Sequence, residues 1–188
     1  MSNSSPMTYT RVGAVVHEIG MVSEAKLRSA LAVLADDADS TVDHYSAACA
    51  LESFGVAIRV HADDVDCLDR GYESLLATAA EIAGGAVTIT NVRLVEDDDD
   101  VEESRLERLE FERNGTLVSI VAEHYADGYY DHTAACEAIA ATADDDDPRS
   151  WRIVDFERAP NRGYDSIIAL ATPEQAQALG EHLGFTLT

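Results

Sequence analysis

At 188 residues, 46% of them hydrophobic, the chain has the length of one domain and enough apolar material for a core, which excludes global disorder. Thirty-six acidic residues against 13 basic ones give a formal net charge of −23, and Lys26 is the only lysine. A field of that sign disfavours direct binding to nucleic-acid phosphates and attracts basic proteins.

The first ten residues are polar and are expected to be disordered. Ser23 then has the chemistry of an N-cap for a helix whose Leu27, Ala30, Leu31 and Leu34 share one face. A second helix starts at Asp43, carries Ala47, Ala48, Leu51 and Phe54 at helical spacing and stops at Gly55, so residues 23–54 form an N-terminal helical segment. Val56 to Val60 reads as a short strand. From Asp64 or Asp69 to Ala83, apolar residues at Leu68, Tyr72, Leu75, Leu76, Ala79 and Ile82 keep a 3.6-residue period. Val87 to Val95 reads as a strand whose two halves are out of phase, and a bulge near Asn91 reconciles them.

The runs LERLEFER and TLVSIVAE flank Asn114-Gly115, the preferred pair for a type I′ hairpin turn, because both central residues must take positive φ. Asp131 can cap a helix containing Ala135, Cys136, Ile139 and Ala140. Strands at Trp151 to Glu157 and Ser166 to Ala171 follow, joined through Pro160-Asn161-Arg162-Gly163. Thr172, Pro173 and Gln175 spell a capping box with proline at the first helical position, ahead of Leu179 and Leu183. Strands joined by short turns imply antiparallel pairing. The expectation is a single α+β domain over 1–188: a mostly antiparallel twisted sheet of about five to six strands, with helices packed mainly on one face.

Cys49, Cys67 and Cys136 are an odd number with no CxxC pair, which argues against a disulfide framework and fits a reducing, cytoplasmic compartment. They are expected to be small buried apolar residues. MSNSSPMTYTR has neither a basic nor an apolar leader region, and no run approaches roughly 18 uncharged apolar residues, so neither secretion nor membrane insertion is expected. The acidic runs Asp97–Asp100 and Asp144–Asp147 should repel themselves and remain solvated loops.

Two tracts concentrate chemistry-bearing residues. HADDVDCLD brings together His61, Asp63, Asp64, Asp66, Cys67 and Asp69, but a calcium loop starting at Asp64 would have Leu68 at a ligand position and Asp69 where glycine must turn. An acid-enriched helix N-terminus explains the same residues. EHYADGYYDH offers His124 and His132 to a metal without the usual ligand spacing. It also reads as a turn with Asp131 as N-cap, or as a partner surface in which tyrosines supply rigid contact area and carboxylates receive Arg or Lys. There is no GxSxG elbow, no phosphate-binding GK[ST], and too many carboxylates for any pair to be diagnostic. No catalytic residue, metal or cofactor is therefore assigned, and a non-enzymatic role is expected. The candidate partner-binding residues are Glu123, Tyr125, Asp127, Tyr129, Tyr130 and Asp131.

The stretches GGAVTITNVRLVEDDDD, LEFERNGTLVSIVAEHYADGYYDHTAACEAIA and SIIALATPEQAQAL, within about residues 56–188, resemble small acidic bacterial immunity proteins of polymorphic or contact-delivered toxin systems. The resemblance implies a cytoplasmic inhibitor that occludes a cognate basic toxin, frequently a nuclease, with no membrane or direct nucleic-acid contact. The alternative is an acidic housekeeping or scaffold protein of a salt-adapted organism, whose carboxylates serve solvation alone.

Overall fold

The computed structural model describes residues 6–61, 67–96, 105–124, 128–158 and 165–188. In chain order the elements are α1 (Tyr9–Glu18), α2 (Glu24–Leu34), α3 (His44–Ser53), β1 (Ala57–Val60), α4 (Leu68–Ile82), β2 (Ile89–Glu96), β3 (Arg105–Arg113), β4 (Thr116–His124), α5 (His132–Ala140), β5 (Ser150–Asp155), β6 (Ser166–Ala171), α6 (Pro173–Leu183) and β7 (Thr186–Leu187). The class is α+β with antiparallel sheets, as the strand spacing predicts. The strands divide between two sheets, however: four in the order β1-β6-β5-β7 and three in the order β2-β3-β4. Contacts likewise gather in two compact units where one domain is the expectation from length.

The first unit comprises residues 1–59, 152–162 and 167–188. Its helix caps follow the sequence closely. Ser23 accepts from the Lys26 N–H, and Asp43 accepts from the Ser46 N–H. Thr172 and Gln175 exchange the two bonds of a capping box at 3.2 and 3.0 Å. Each cap satisfies helix N–H groups that have no intrahelical acceptor.

Helix α1 overturns the expectation of a disordered start from residue 6 onward. Thr8 caps it by accepting from the Arg11 N–H, Met7 O accepts from the Val42 N–H at 2.9 Å, and Val12 and Val16 are fully buried. Its glycine and β-branched valines are poor helix formers, so packing, not propensity, holds it. A Cβ on Gly13 would stand 2.6 Å from Leu27 Cδ1 and 2.8 Å from Phe54 Cζ, so the absence of a side chain there lets α1 lie close to its neighbours. Strand β6 is buried from Ile167 to Ala171 on both of its faces, which explains its unbroken apolar run. Strand β7, too short to read from sequence, pairs with β5 through Val154↔Leu187 and Asp155↔Thr186.

The second unit comprises residues 60–151 and 163–166. Asn114 (φ 52°) and Gly115 (φ 77°) take the left-handed conformations that a type I′ turn demands, and nine residue pairs from Arg105↔His124 to Arg113↔Thr116 zip β3 to β4. The pairing of β2 with β3 slips between Thr90 and Arg93, and Asn91 sits at φ 56°. This is the bulge that the phase change predicts. Helices α4 and α5 lie against the sheet from one side, α4 beside β2 and α5 beside β4. Leu109, Phe111, Ile120, Ala122, Tyr72, Leu76, Ala135 and Ile139 are buried there.

The Asp144–Asp147 loop departs from a purely solvated run. Asp145 bonds Arg113 at 2.8 Å and Asp147 bonds Arg149 at 2.6 Å, because each aspartate has an arginine within reach that also bonds backbone carbonyls. The bonds from Arg149 hold the Asp147 carboxyl below its ordinary range. The Asp97–Asp100 run lies outside the described residues. Among those described, no helix is long and apolar enough to cross a membrane.

Candidate partner-binding site

The end of β4 and the start of α5 are joined by the Asp131 carboxylate. Oδ1 accepts from the Thr133 and Ala134 N–H groups at 2.9 and 3.3 Å, capping α5, while Oδ2 accepts from the Glu123 N–H at 2.9 Å. Among the described candidate residues, the Asp131 carboxylate is thus already engaged by backbone donors. One side chain serves as helix cap and strand tether, a role the sequence exposes only in its first half.

Beneath this junction runs a chain of buried polar groups. The Asp131 N–H donates to Tyr72 Oη at 3.1 Å, and that oxygen lies 3.0 Å from His124 Nε2. His124 Nδ1, with no other partner among the described residues, faces Glu107 Oε2 at 2.5 Å. The Tyr72 hydroxyl accepts from a backbone N–H and sits within hydrogen-bond reach of the imidazole, so backbone, hydroxyl, imidazole and the Glu107 carboxylate stand in one row. Tyr72 has no exposed surface, and burial pushes its hydroxyl well above the usual tyrosine range.

A carboxylate, an imidazole and a hydroxyl in series have the order of a nucleophilic triad. Here the hydroxyl is sealed from substrate, so the chain orients α4, α5 and β4 and offers no exposed nucleophile. His124, a metal candidate from its sequence neighbourhood, is engaged by Tyr72. Among the described residues no three metal-ligating side chains converge. Of the HADDVDCLD tract, residues 62–66 lie outside the described residues, and Asp69 accepts from the Leu94 N–H at 2.8 Å.

Above the polar chain, the Tyr130 ring meets Tyr72 edge-on with centroids 4.9 Å apart. A Cβ on Gly71 would lie 2.7 Å from the Tyr130 hydroxyl, so glycine there admits the ring. Tyr130 is half-buried, and burial raises its hydroxyl pKa. Tyr129 is different: 40% of its surface is exposed. Glu123 is half-buried at the end of β4. The structure therefore gathers Glu123, Tyr129, Tyr130 and Asp131 at one junction, while Tyr125 and Asp127 lie outside the described residues.

Sequence reasoning missed Tyr72 and Glu107. Tyr72 read as one more apolar position of α4. His124 carries the signal that was available: it continues the inward alternation Val118, Ile120, Ala122, which places it in the core, and a buried imidazole requires polar partners. The cysteines also divide otherwise than expected. Cys67 is exposed at the N-cap of α4, whereas Cys49 and Cys136 are half-buried and burial raises the Cys136 thiol. No family model, curated protein or solved structure matches the chain.

Proposed function

We propose that this protein is a non-enzymatic binding protein that neutralises a basic protein partner, in the manner of an immunity protein against its cognate toxin. The observation that carries the reading is the exposed Tyr129 ring, held between Gly128 and a Tyr130-Asp131 pair whose side chains are fixed by Tyr72, Gly71 and three backbone N–H groups. An aromatic on a pre-ordered frame loses little conformational freedom on binding, and such residues recur as interface anchors. A net charge of −23 supplies long-range attraction for a basic partner.

The test is isothermal calorimetry against the basic product of the neighbouring gene at low and at moderate salt. The expected result is a stoichiometric complex whose affinity falls with salt and drops at least about tenfold in Tyr129→Ala, the scale of an anchor residue. Absence of heat at low salt, together with stability that climbs steeply up to molar KCl, would sink the proposal and leave acidity serving solvation.

A further inference from the structure

The three-stranded sheet has two edges, and they are guarded unequally. Along β2 the bulge at Asn91 breaks the ladder, Asp69 takes the Leu94 N–H, and Asn114 Oδ1 takes the N–H of Thr88 just before the strand. Among the described residues, strand β4 has only one such guard, the Asp131 bond to the Glu123 N–H. The two-residue turn makes Arg113 and Thr116 a mutually hydrogen-bonded pair, so every second residue from Thr116 also bonds β3. Leu117, Ser119 and Val121 fall on the opposite parity. Their N–H and C=O groups point away from β3 and have no partner among the described residues.

The side chains of this edge are equally unguarded. Leu117 is 57% and Val121 52% exposed on the sheet face away from α4 and α5. From Thr116 to Ala122 there is no charge, lysine or proline, the usual devices that prevent a strand from pairing in trans. The charges on this face are mixed toward one end and acidic toward the other: Glu112 and Glu110 stand opposite Leu117 and Ser119 on β3, with Glu110 already holding Arg93 at 2.6 Å, Arg108 stands opposite Val121, and Glu123 follows on β4 itself.

We propose that the free edge of β4 is a docking strand for an extended segment of a partner protein, which adds a fourth strand through the backbone groups of Leu117, Ser119 and Val121. Open N–H and C=O groups at a two-residue spacing select an extended chain. Leu117 and Val121 select apolar side chains at its matching positions, and Glu123, on the same face of β4, selects Arg or Lys beside them. A second copy of this chain would bring another −23 to the same edge, which charge disfavours. The proposal rests on the basic-partner reading for the occupant's charge alone, since the unpaired strand edge stands without it.

The experiment uses the full chain with a synthetic heptapeptide whose odd positions read arginine, valine, arginine, valine with threonine between them, so that valine and arginine share one face, and the same peptide with glutamate for arginine as control, read by residue-resolved amide hydrogen exchange. Saturating valine-arginine peptide is expected to slow exchange at Leu117, Ser119 and Val121 by about tenfold or more, and the control peptide to leave them unchanged. Ser119→Pro, which removes an outward N–H and spares the β3 ladder, should abolish the protection. Should that variant misfold, Leu117→Lys with Val121→Lys should abolish it by charge against arginine. Peptide binding without protection of these amides overturns the docking strand while the basic-partner reading survives. Equal protection by both peptides keeps the strand and removes the charge reading. Protection that rises with protein concentration alone overturns the proposal in favour of self-association.

Discussion

The cores of the two units are built on different principles. In the first unit the buried cluster is apolar throughout, with Val12, Val16, Leu51, Phe54, Ile167, Leu179 and Leu183 at or near zero exposure. In the second, both buried polar residues among those described occur, His124 and Thr142. Dispersion and burial are non-directional, so an apolar core tolerates exchange of similar volumes. A chain of donors and acceptors admits one order and one geometry. The contrast teaches where precision resides: the Tyr129 frame stands over the directional core, whereas the first unit is specified by shape and volume.

The largest expected effect lies in the apolar core. Phe54→Ala removes a fully buried ring that closes on Gly13, at a cost of about 3–5 kcal/mol. Denaturant titration followed by circular dichroism, with hydrogen exchange at α3, checks it. A loss below about 1 kcal/mol would mean that the cavity collapses and that the close approach of α1 is not needed.

Tyr72→Phe is next, and it tests the directional core while retaining the ring against Tyr130. It leaves the Asp131 N–H and His124 Nε2 without their shared partner, for an expected loss of about 2–3 kcal/mol. The wild type should also lose stability in alkali. With the Tyr72 hydroxyl raised above its ordinary value of 10.0, the unfolded chain releases the proton before the folded one does. The unfolded state then binds fewer protons, so stability falls as pH rises through 10, by up to about 1.4 kcal/mol per pH unit. Tyr72→Phe should remove that contribution. An unchanged alkaline slope in the variant would show that the hydroxyl is not held neutral by the fold.

Legibility in the sequence follows the range of the interaction. Features made by neighbours along the chain were readable: the caps at Ser23, Asp131 and Thr172, the helix start at Asp43, the Asn114-Gly115 turn, and the bulge at Asn91 revealed by a change of phase. Features made by distant residues were not. Helix α1 exists because Gly13 meets Leu27 and Phe54, and its own residues argue against it. Glu107, His124 and Tyr72 become a unit only after β3, β4 and α4 are placed, and a tyrosine at helical spacing looks apolar until its hydroxyl finds a partner. The division into two sheets was hidden for the same reason, since strand order is not encoded by any single strand. At the candidate site, Asp131 was legible as a cap and illegible as the tether of Glu123.

The smallest effect sharpens the comparison within the second unit. The Trp151 Nε1–H donates to Thr142 Oγ1 at 3.0 Å, and the Thr142 hydroxyl donates to Ile139 O at 2.7 Å, with both side chains buried. Thr142→Val keeps the volume and strands the indole N–H, for a loss of about 1–2 kcal/mol. Trp151 is the only tryptophan, so its emission reports directly on that loss of a partner. Combining Thr142→Val with Trp151→Phe removes donor and acceptor together, and circular dichroism in denaturant should find the double variant no worse than the sum of its ring-volume loss and a few tenths of a kcal/mol. Strict additivity of the two single losses would mean the bond contributes nothing as a pair. The second unit's polar core would then be specified by volume, as the first unit's is.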